Sequence, residues 1–383
     1  MWRLAQLCAM ASTPRPYHSR HPAALLGFET PSEVRAALFD SGLMAMGVPG
    51  WHGGRYQGLE GLVVAIEEIA RVDAGTAVAL DVHTVLASRA IARFGGTGLQ
   101  AEILPRLAAC DLGAFALSEP EAGSDAFALS TVAKPVASGY WLDGTKRWTS
   151  LAPQADVFVL FAKDSGARQD AGQSGLTAFV LDKDTRGLTV GPVTDQIGVR
   201  AAATAEVHLD AVEVPATRVL GEPGRGATVA MEALTVGRIG IAAQLVGLAA
   251  GALEQVVGYA GRRVQFDRKL SAFQGVQLTV GGMATEVEAA RALLYEAVRV
   301  VENERDGMLR LRVAAMAKQF AAQTAERATA AAVDVHGGVG CVRGSPVERM
   351  FRDAKAGTIY EGTSTVLLRT VASSLFGKAA VDG

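Results

Sequence analysis

The hydrophobic period of this 383-residue chain changes twice, so it cannot fold as one repeated unit. Up to residue 111 the apolar residues recur at helical spacing: Leu62, Ile66 and Ile69, then Ile91, Phe94, Ile103, Leu104 and Leu107. Glu67 and Glu68 are expected to face outward, and Thr30-Pro31-Ser32-Glu33 reads as a helix start with proline in the first turn. Over residues 112–222 the apolar runs are short and alternating, and turn residues separate them. Val157–Phe161, Thr177–Leu181 and Leu188–Val190 read as strands, as do Glu206–Leu209 and Val212–Val214 before Pro215. Tyr140-Trp141-Leu142 and Lys146-Arg147-Trp148 flank Asp143-Gly144, which predicts a hairpin. Over residues 223–383 the helical period returns, with stripes at Leu234, Ile241, Leu245 and Leu248, at Phe273, Val276, Val280, Met283 and Val287, and at Leu309, Val313, Met316 and Phe320. Three long amphipathic stripes predict an antiparallel helix bundle. The expected architecture is mainly α, with domains over 1–111, 112–222 and 223–383, the middle one an antiparallel β domain.

A hydrophobic fraction of 49% supplies a large core, and a net charge of -2 gives no basic excess for nucleic acid. Cys8, Cys110 and Cys341 lie far apart, and His18 and His21 have no second ligand pair, so neither a disulfide framework nor a metal site is expected. No uninterrupted apolar run reaches 18 residues, so no membrane span is expected. The first 28 residues lack acids but hold Arg3, Arg15 and Arg20. They read as a short helix ending near Pro14 and Pro16, or as a transit segment. The first reading gives a cytoplasmic protein, the second a mitochondrial matrix one.

Two common nucleotide signatures fail. There is no phosphate loop of the GxxxxGK[ST] type, and Gly96-Thr97-Gly98-Leu99-Gln100-Ala101 follows a helix rather than opening a βαβ unit. Phe115-Ala116-Leu117-Ser118-Glu119-Pro120-Glu121-Ala122-Gly123-Ser124-Asp125 runs from a strand into a turn of small polar residues. Such a turn either presents N–H groups and hydroxyls to a flat polar ligand or is an ordinary surface turn. His336-Gly337-Gly338-Val339-Gly340 interrupts a helical pattern, either to admit a cofactor or as a helix–helix turn. Glu361 follows the apolar pair Ile359-Tyr360 and precedes Gly362. It is either a solvated loop carboxylate or a base whose pKa apolar surroundings raise.

Together these segments resemble the acyl-CoA dehydrogenase family over nearly the whole chain. The carriers are Ala116–Asp125, Gly144-Thr145-Lys146-Arg147-Trp148, Gly237-Arg238-Ile239-Gly240-Ile241-Ala242, Arg263-Val264-Gln265-Phe266 with Phe273-Gln274, His336-Gly337-Gly338, Arg352-Asp353-Ala354, and Ile359–Ser364, in family order. The resemblance implies a helical domain, a β domain and a C-terminal four-helix bundle, with FAD between them in a homotetramer or dimer. It implies FAD contacts from Phe115, Leu117, Ser118, Gly123, Ser124, Trp148, Thr149, Ser150, Asp334, Thr363, Ser364 and Thr365. Phe266 would also contact FAD, and Arg263, Gln274, Gly337 and Gly338 would face the FAD of a neighbouring subunit. Ser124, Thr235, Arg238, Tyr360 and Gly362 would line the acyl thioester. Glu361 would take the α-proton, its backbone N–H would bind the thioester carbonyl, and the β-hydride would pass to flavin N5, giving a trans-2-enoyl thioester. An electron-transfer flavoprotein would accept the electrons.

Some positions depart from the family pattern. Thr235 stands where aspartate is frequent, Asp334 where glutamine is usual, Thr365 in place of glutamate or glutamine, and Leu151 in place of asparagine. The stretch Trp148–Asp156 is similar to relatives acting on acyl chains tethered to a carrier protein, which makes such a thioester the alternative substrate. A flavin oxidase or monooxygenase on this scaffold is a further alternative, which the retained Glu361 disfavours.

Overall fold

A 37-residue helix, Gly226–Arg262, runs through the centre and organises the rest. The computed structural model describes residues 32–166 and 175–376; the expected N-terminal segment with Pro14, Pro16, His18 and His21 lies outside them. Among the described residues, five α-helices precede the sheet: α1 (Ser32–Asp40), α2 (Leu59–Ala70), α3 (Ala74–Asp81), α4 (Arg89–Phe94) and α5 (Thr97–Ala109). Asp73 caps α3 by accepting from the Thr76 N–H at 2.8 Å. A π-helical turn, Val82–Ser88, joins α3 to α4. The expectation that Glu67 faces outward is corrected. Glu67 is buried, accepting from Arg291 Nε at 2.7 Å and Tyr295 OH at 3.2 Å, because α2 is covered by two C-terminal helices rather than one.

The middle region is an eight-stranded sheet of β1 (Gly113–Ala116), β2 (Val132–Val136), β3 (Gly139–Ser150), β4 (Val157–Asp164), β5 (Leu176–Asp182), β6 (Leu188–Val190), β7 (Thr204–Pro215) and β8 (Val219–Leu220). The main order is β6-β7-β3-β2-β4-β5-β8, mostly antiparallel, with β1 and β2 running parallel to β4. No hairpin forms at Asp143-Gly144, contrary to the sequence reading. β3 runs straight through, with a register shift against β7 between Leu142 and Gly144. The Asp143 carboxylate accepts from the Ala211 N–H at 2.8 Å, which holds that bulge to β7.

Here α6 denotes Gly226–Arg262. A small hairpin, β9 (Val264–Gln265) and β10 (Arg268–Lys269), leads to α7 (Gln274–Asn303) and α8 (Gly307–His336). α9 (Pro346–Gly357) and α10 (Ser364–Phe376) follow, and α10 packs on α8 to complete the C-terminal bundle. α6 alone is long and apolar enough, among the described residues, to cross a membrane; 94% of its most apolar window is buried, so it is a core helix. Counting only uninterrupted runs missed it because Arg238 and Gln244 break the run. Gly247 lets α2 press against it: a Cβ there would lie 2.1 Å from the Glu67 carbonyl oxygen.

One loop of the sheet domain locks α9 in place. The Val199 N–H donates to Asp353 Oδ1 at 2.6 Å, and Arg352 Nη1 donates to the Ile197 carbonyl at 2.6 Å. From the other side, Arg349 pairs with Asp73 at 3.1 Å and donates to the Val72 carbonyl at 2.6 Å. The turn that follows α9 is therefore referenced to all three regions.

Candidate active site

That turn carries Glu361. Its backbone is left-handed at Glu361 (φ 55) and again at Gly362 (φ 101), before α10 begins at Ser364. A non-glycine residue pays for this conformation, and such strain persists only where the surroundings hold it. Arg238 Nε of α6 donates to the Glu361 carbonyl at 3.2 Å, and Lys318 Nζ of α8 donates to the Gly362 carbonyl at 2.8 Å. Tyr360 donates its hydroxyl to Gln244 Oε1 at 2.9 Å. The Thr363 hydroxyl accepts from the Val366 N–H at 3.3 Å and so caps α10.

The Glu361 carboxyl turns inward over Gly237. A Cβ built there would sit 3.2 Å from Glu361 Oε2 and 2.7 Å from Leu86 Cδ2, so only glycine leaves this gap open. Parts of the residue remain accessible, but Oε2 is enclosed and has no hydrogen-bond partner among the described residues. Burial pushes its pKa up to about 7, against the opposing pull of Arg238 and Lys318. Burial also brings Lys318 down to about 7, although Glu361 favours its charged form. With Oε2 enclosed, Glu361 is not a fully solvated loop carboxylate.

A second group of candidates meets where β1 and β3 approach. The buried Lys146 ammonium donates to Glu119 Oε1 at 2.6 Å and to the Leu117 carbonyl at 3.2 Å. Glu119 also accepts from Ser130 Oγ at 2.6 Å and the Thr131 N–H at 3.1 Å. Burial alone would raise the Glu119 pKa; Lys146 and these donors outweigh it and hold the carboxyl at about 2. The Arg147 N–H donates to the Ser118 carbonyl at 2.8 Å, so Leu117 and Ser118 are fixed alongside Trp148. Trp148 has φ 59 and is 52% exposed, with the Arg147 guanidinium 4.6 Å from its ring centre. Thr149 is buried with an orphan Oγ1, and Ser150 Oγ lies 3.5 Å from Thr204 Oγ1. Leu151 is left-handed too, at φ 66, a conformation asparagine tolerates better than leucine. Phe115 is buried 5.0 Å from Phe161, while Gly123 and Ser124 are exposed and a Cβ at Gly123 would meet open space. An exposed indole, an orphan buried hydroxyl and an open glycine turn fit a flat ring with a polar edge.

The remaining candidates form a third cluster. Arg263, Phe266 and Gln274 are exposed around the β9–β10 hairpin. The Arg263 N–H donates to the Tyr259 carbonyl at 2.9 Å, and Tyr259 stacks on His336 at 4.2 Å, bringing the Gly337-Gly338 turn alongside. A Cβ on either glycine would meet open space. Arg263 follows Arg238 by 25 positions along α6, roughly 37 Å at helical rise. This cluster therefore sits at the C-terminal end of α6, well removed from Arg238 and the Glu361 turn. Asp334 and Thr365 are exposed, and Thr235 donates its hydroxyl back to the Met231 carbonyl at 2.7 Å, one turn from Arg238.

The sequence reading missed Lys318, Gln244 and Asp81, all buried beside the Glu361 turn or α6. A signal existed for two of them. Lys318 is a lone charge in an alanine-rich helical stretch, and Asp81 a lone acid between Val78-Ala79-Leu80 and Val82.

Three family models match the chain: the acyl-CoA dehydrogenase N-terminal domain over residues 18–111, its middle domain over 114–212 and its C-terminal domain over 224–376. The short/branched chain specific mitochondrial acyl-CoA dehydrogenase of Rattus norvegicus is 40% identical over 342 residues, 89% of this chain and 78% of its own. Butyryl-CoA dehydrogenase from Megasphaera elsdenii has the same fold with a TM-score of 0.87 at 32% identity, covering 98% of this chain and 99% of that one. A prolyl acyl carrier protein oxidase also matches with a TM-score of 0.87, at 27% identity over 98% of both chains. The chain belongs to the acyl-CoA dehydrogenase family and is an FAD-dependent oxidoreductase.

Proposed function

We propose that the protein α,β-dehydrogenates a short or branched acyl-CoA thioester, with Glu361 as the base that removes the α-proton. The observation that carries this reading is the Glu361 carboxyl turned inward over Gly237, its Oε2 enclosed beside Leu86, with a pKa raised to about 7. A base poised there accepts a proton readily at neutral pH. The name of the rat relative supports the short or branched acyl group. Arg238 and Lys318 hold the turn by its carbonyls, and the Glu361 N–H donates to the thioester carbonyl, favouring enolate character at the α-carbon. Leu86 and the close approach of α6 at Gly237 enclose the Oε2 side of the carboxyl. FAD, when bound, supplies the acceptor for the β-hydride. Leu117, Ser118, Trp148 and Thr149 hold its ring from one chain. Arg263, Phe266, Gln274, Gly337 and Gly338, grouped beyond the C-terminal end of α6, reach the FAD of a second chain in a tetramer or dimer. Electrons leave to an electron-transfer flavoprotein.

A second reading replaces CoA by a carrier protein. The likeness to the prolyl acyl carrier protein oxidase favours it, as does Leu151 in the left-handed position after Trp148. One experiment tests both: anaerobic titration of the FAD-loaded protein with butyryl-CoA, 2-methylbutyryl-CoA and the same acyl groups on a carrier protein. Bleaching of the flavin band by the CoA esters supports the first reading, and bleaching only by the carrier-bound esters supports the second. No bleaching by any of them rejects both.

A further inference from the structure

Asp81 is the last residue of α3, where the helix passes into the π-helical turn, and π turns recur beside functional sites. It is fully buried, and neither carboxyl oxygen has a hydrogen-bond partner among the described residues. Among the described residues no lysine or arginine pairs with it. The carboxyl packs on α6 at Gly240, where a Cβ would lie 1.7 Å from Oδ1, with Ile66 Cδ1 at 3.5 Å from the same point. Gly237, which faces the Glu361 carboxyl, precedes Gly240 by three residues. Residues three apart share one helix face, with a rise of roughly 4.5 Å. Two carboxyls thus stand along the same glycine-lined face of α6, Glu361 at one turn and Asp81 at the next. Burial, and then the charge of Glu361, raise the Asp81 pKa well above the usual carboxylate range.

Proton abstraction needs only one base, and Glu361 fills that role. A buried acid without a partner calls for one, supplied by an ordered water or by a bound ligand. We propose that Asp81 is the polar floor of the acyl pocket, a specificity-determining residue. It accepts acyl groups that stop short of it or carry a hydrogen-bonding atom at their distal end, and it rejects hydrocarbon chains long enough to reach it. This rests on the proposed acyl-CoA reaction. A short chain leaves room for a water on the Asp81 carboxyl, whereas a longer hydrocarbon expels that water and leaves the acid unpaired. A distal hydroxyl replaces the water and restores the bond.

The test compares kcat/KM for butyryl-CoA, hexanoyl-CoA, octanoyl-CoA and 6-hydroxyhexanoyl-CoA in wild type, Asp81→Asn and Asp81→Ala, all FAD-loaded and checked for flavin retention and melting temperature. Wild type is expected to prefer the hydroxylated six-carbon chain over the plain one by about tenfold. Asp81→Ala is expected to lose that preference and to raise the octanoyl-to-butyryl ratio by about tenfold; Asp81→Asn, which still hydrogen-bonds, is expected to keep the wild-type ratios. A purely steric floor would move the chain-length ratio and leave the hydroxyl preference untouched. Equal handling of the two six-carbon chains by wild type, or unchanged ratios in a folded Asp81→Ala, overturns the assignment. Failure of every thioester to reduce the wild-type flavin instead removes the parent reading of the reaction.

Discussion

Replacing Glu361 by glutamine keeps the shape of the side chain and removes its titration. In the folded protein burial raises the Glu361 pKa from 4.5 to about 7. A carboxyl whose folded pKa lies above its unfolded value favours the folded state at low pH. That contribution is fully present below about 4.5 and is lost as pH rises through about 7. The interval corresponds to about 3 kcal/mol, of which about 2.5 kcal/mol falls between pH 5 and pH 8. Glutamine carries no such term, so the stability of Glu361→Gln relative to wild type should improve by up to that amount between pH 5 and pH 8. The figure is an upper one because Lys318 loses its attraction to Glu361. Urea unfolding at the two pH values measures it. In parallel, stopped-flow reduction of the flavin by butyryl-CoA should fall by about 10²–10⁴-fold, the usual share of a general base. In wild type the reduction rate should climb with pH through about 7, since only the carboxylate accepts a proton. A variant whose stability tracks wild type from pH 5 to pH 8, or that reduces at the wild-type rate, would refute the buried-base account.

Lys146→Met strands the Glu119 charge in the interior and is expected to cost about 3–5 kcal/mol of stability, read by denaturant unfolding. A loss below about 1 kcal/mol would mean that the pair does not pin Leu117 and Ser118. Arg263→Ala should lower FAD retention through gel filtration without altering the α6 core; unchanged retention would count against the cross-subunit contact. Gly247→Ala puts a methyl 2.1 Å from the Glu67 carbonyl and should destabilise the packing of α2 on α6 by about 1–3 kcal/mol, with wild-type stability as the contrary result.

Much of the fold was readable because each helix or strand carries its own period. Of the stripe at Phe273, Val276, Val280, Met283 and Val287, all but Phe273, which immediately precedes it, lie along α7, and the Leu188–Val190 run is β6. Reading failed where tertiary contacts overrode a local signal. Asp143-Gly144 looks like a turn, yet Asp143 is claimed by the Ala211 N–H across the ladder and the strand continues. Glu67 looks like a surface acid, but Arg291 and Tyr295 come to it from more than 200 positions away. The site was legible in its motifs and not in its supports. Nothing in the local sequence of Trp148, Leu151 or Glu361 announces a left-handed backbone, since none is glycine or asparagine. Residues 81, 238, 318 and 361 are joined only by folding, so the buried neighbours of Glu361 were out of reach of spacing arguments.

The loop around Val199 that seats against Asp353, and packs Ala201 onto Gly75 of α3, bears on how such enzymes can be recombined. A chimera that exchanges the strands of one relative for those of another, while keeping the original helices, inherits a mismatched plug in this socket. Asp353, whose pKa burial and Asp73 already raise to about 7, would lose its amide donor, and the Glu361 turn would lose its alignment. Recombinants that transplant residues 195–203 together with α9 should keep both.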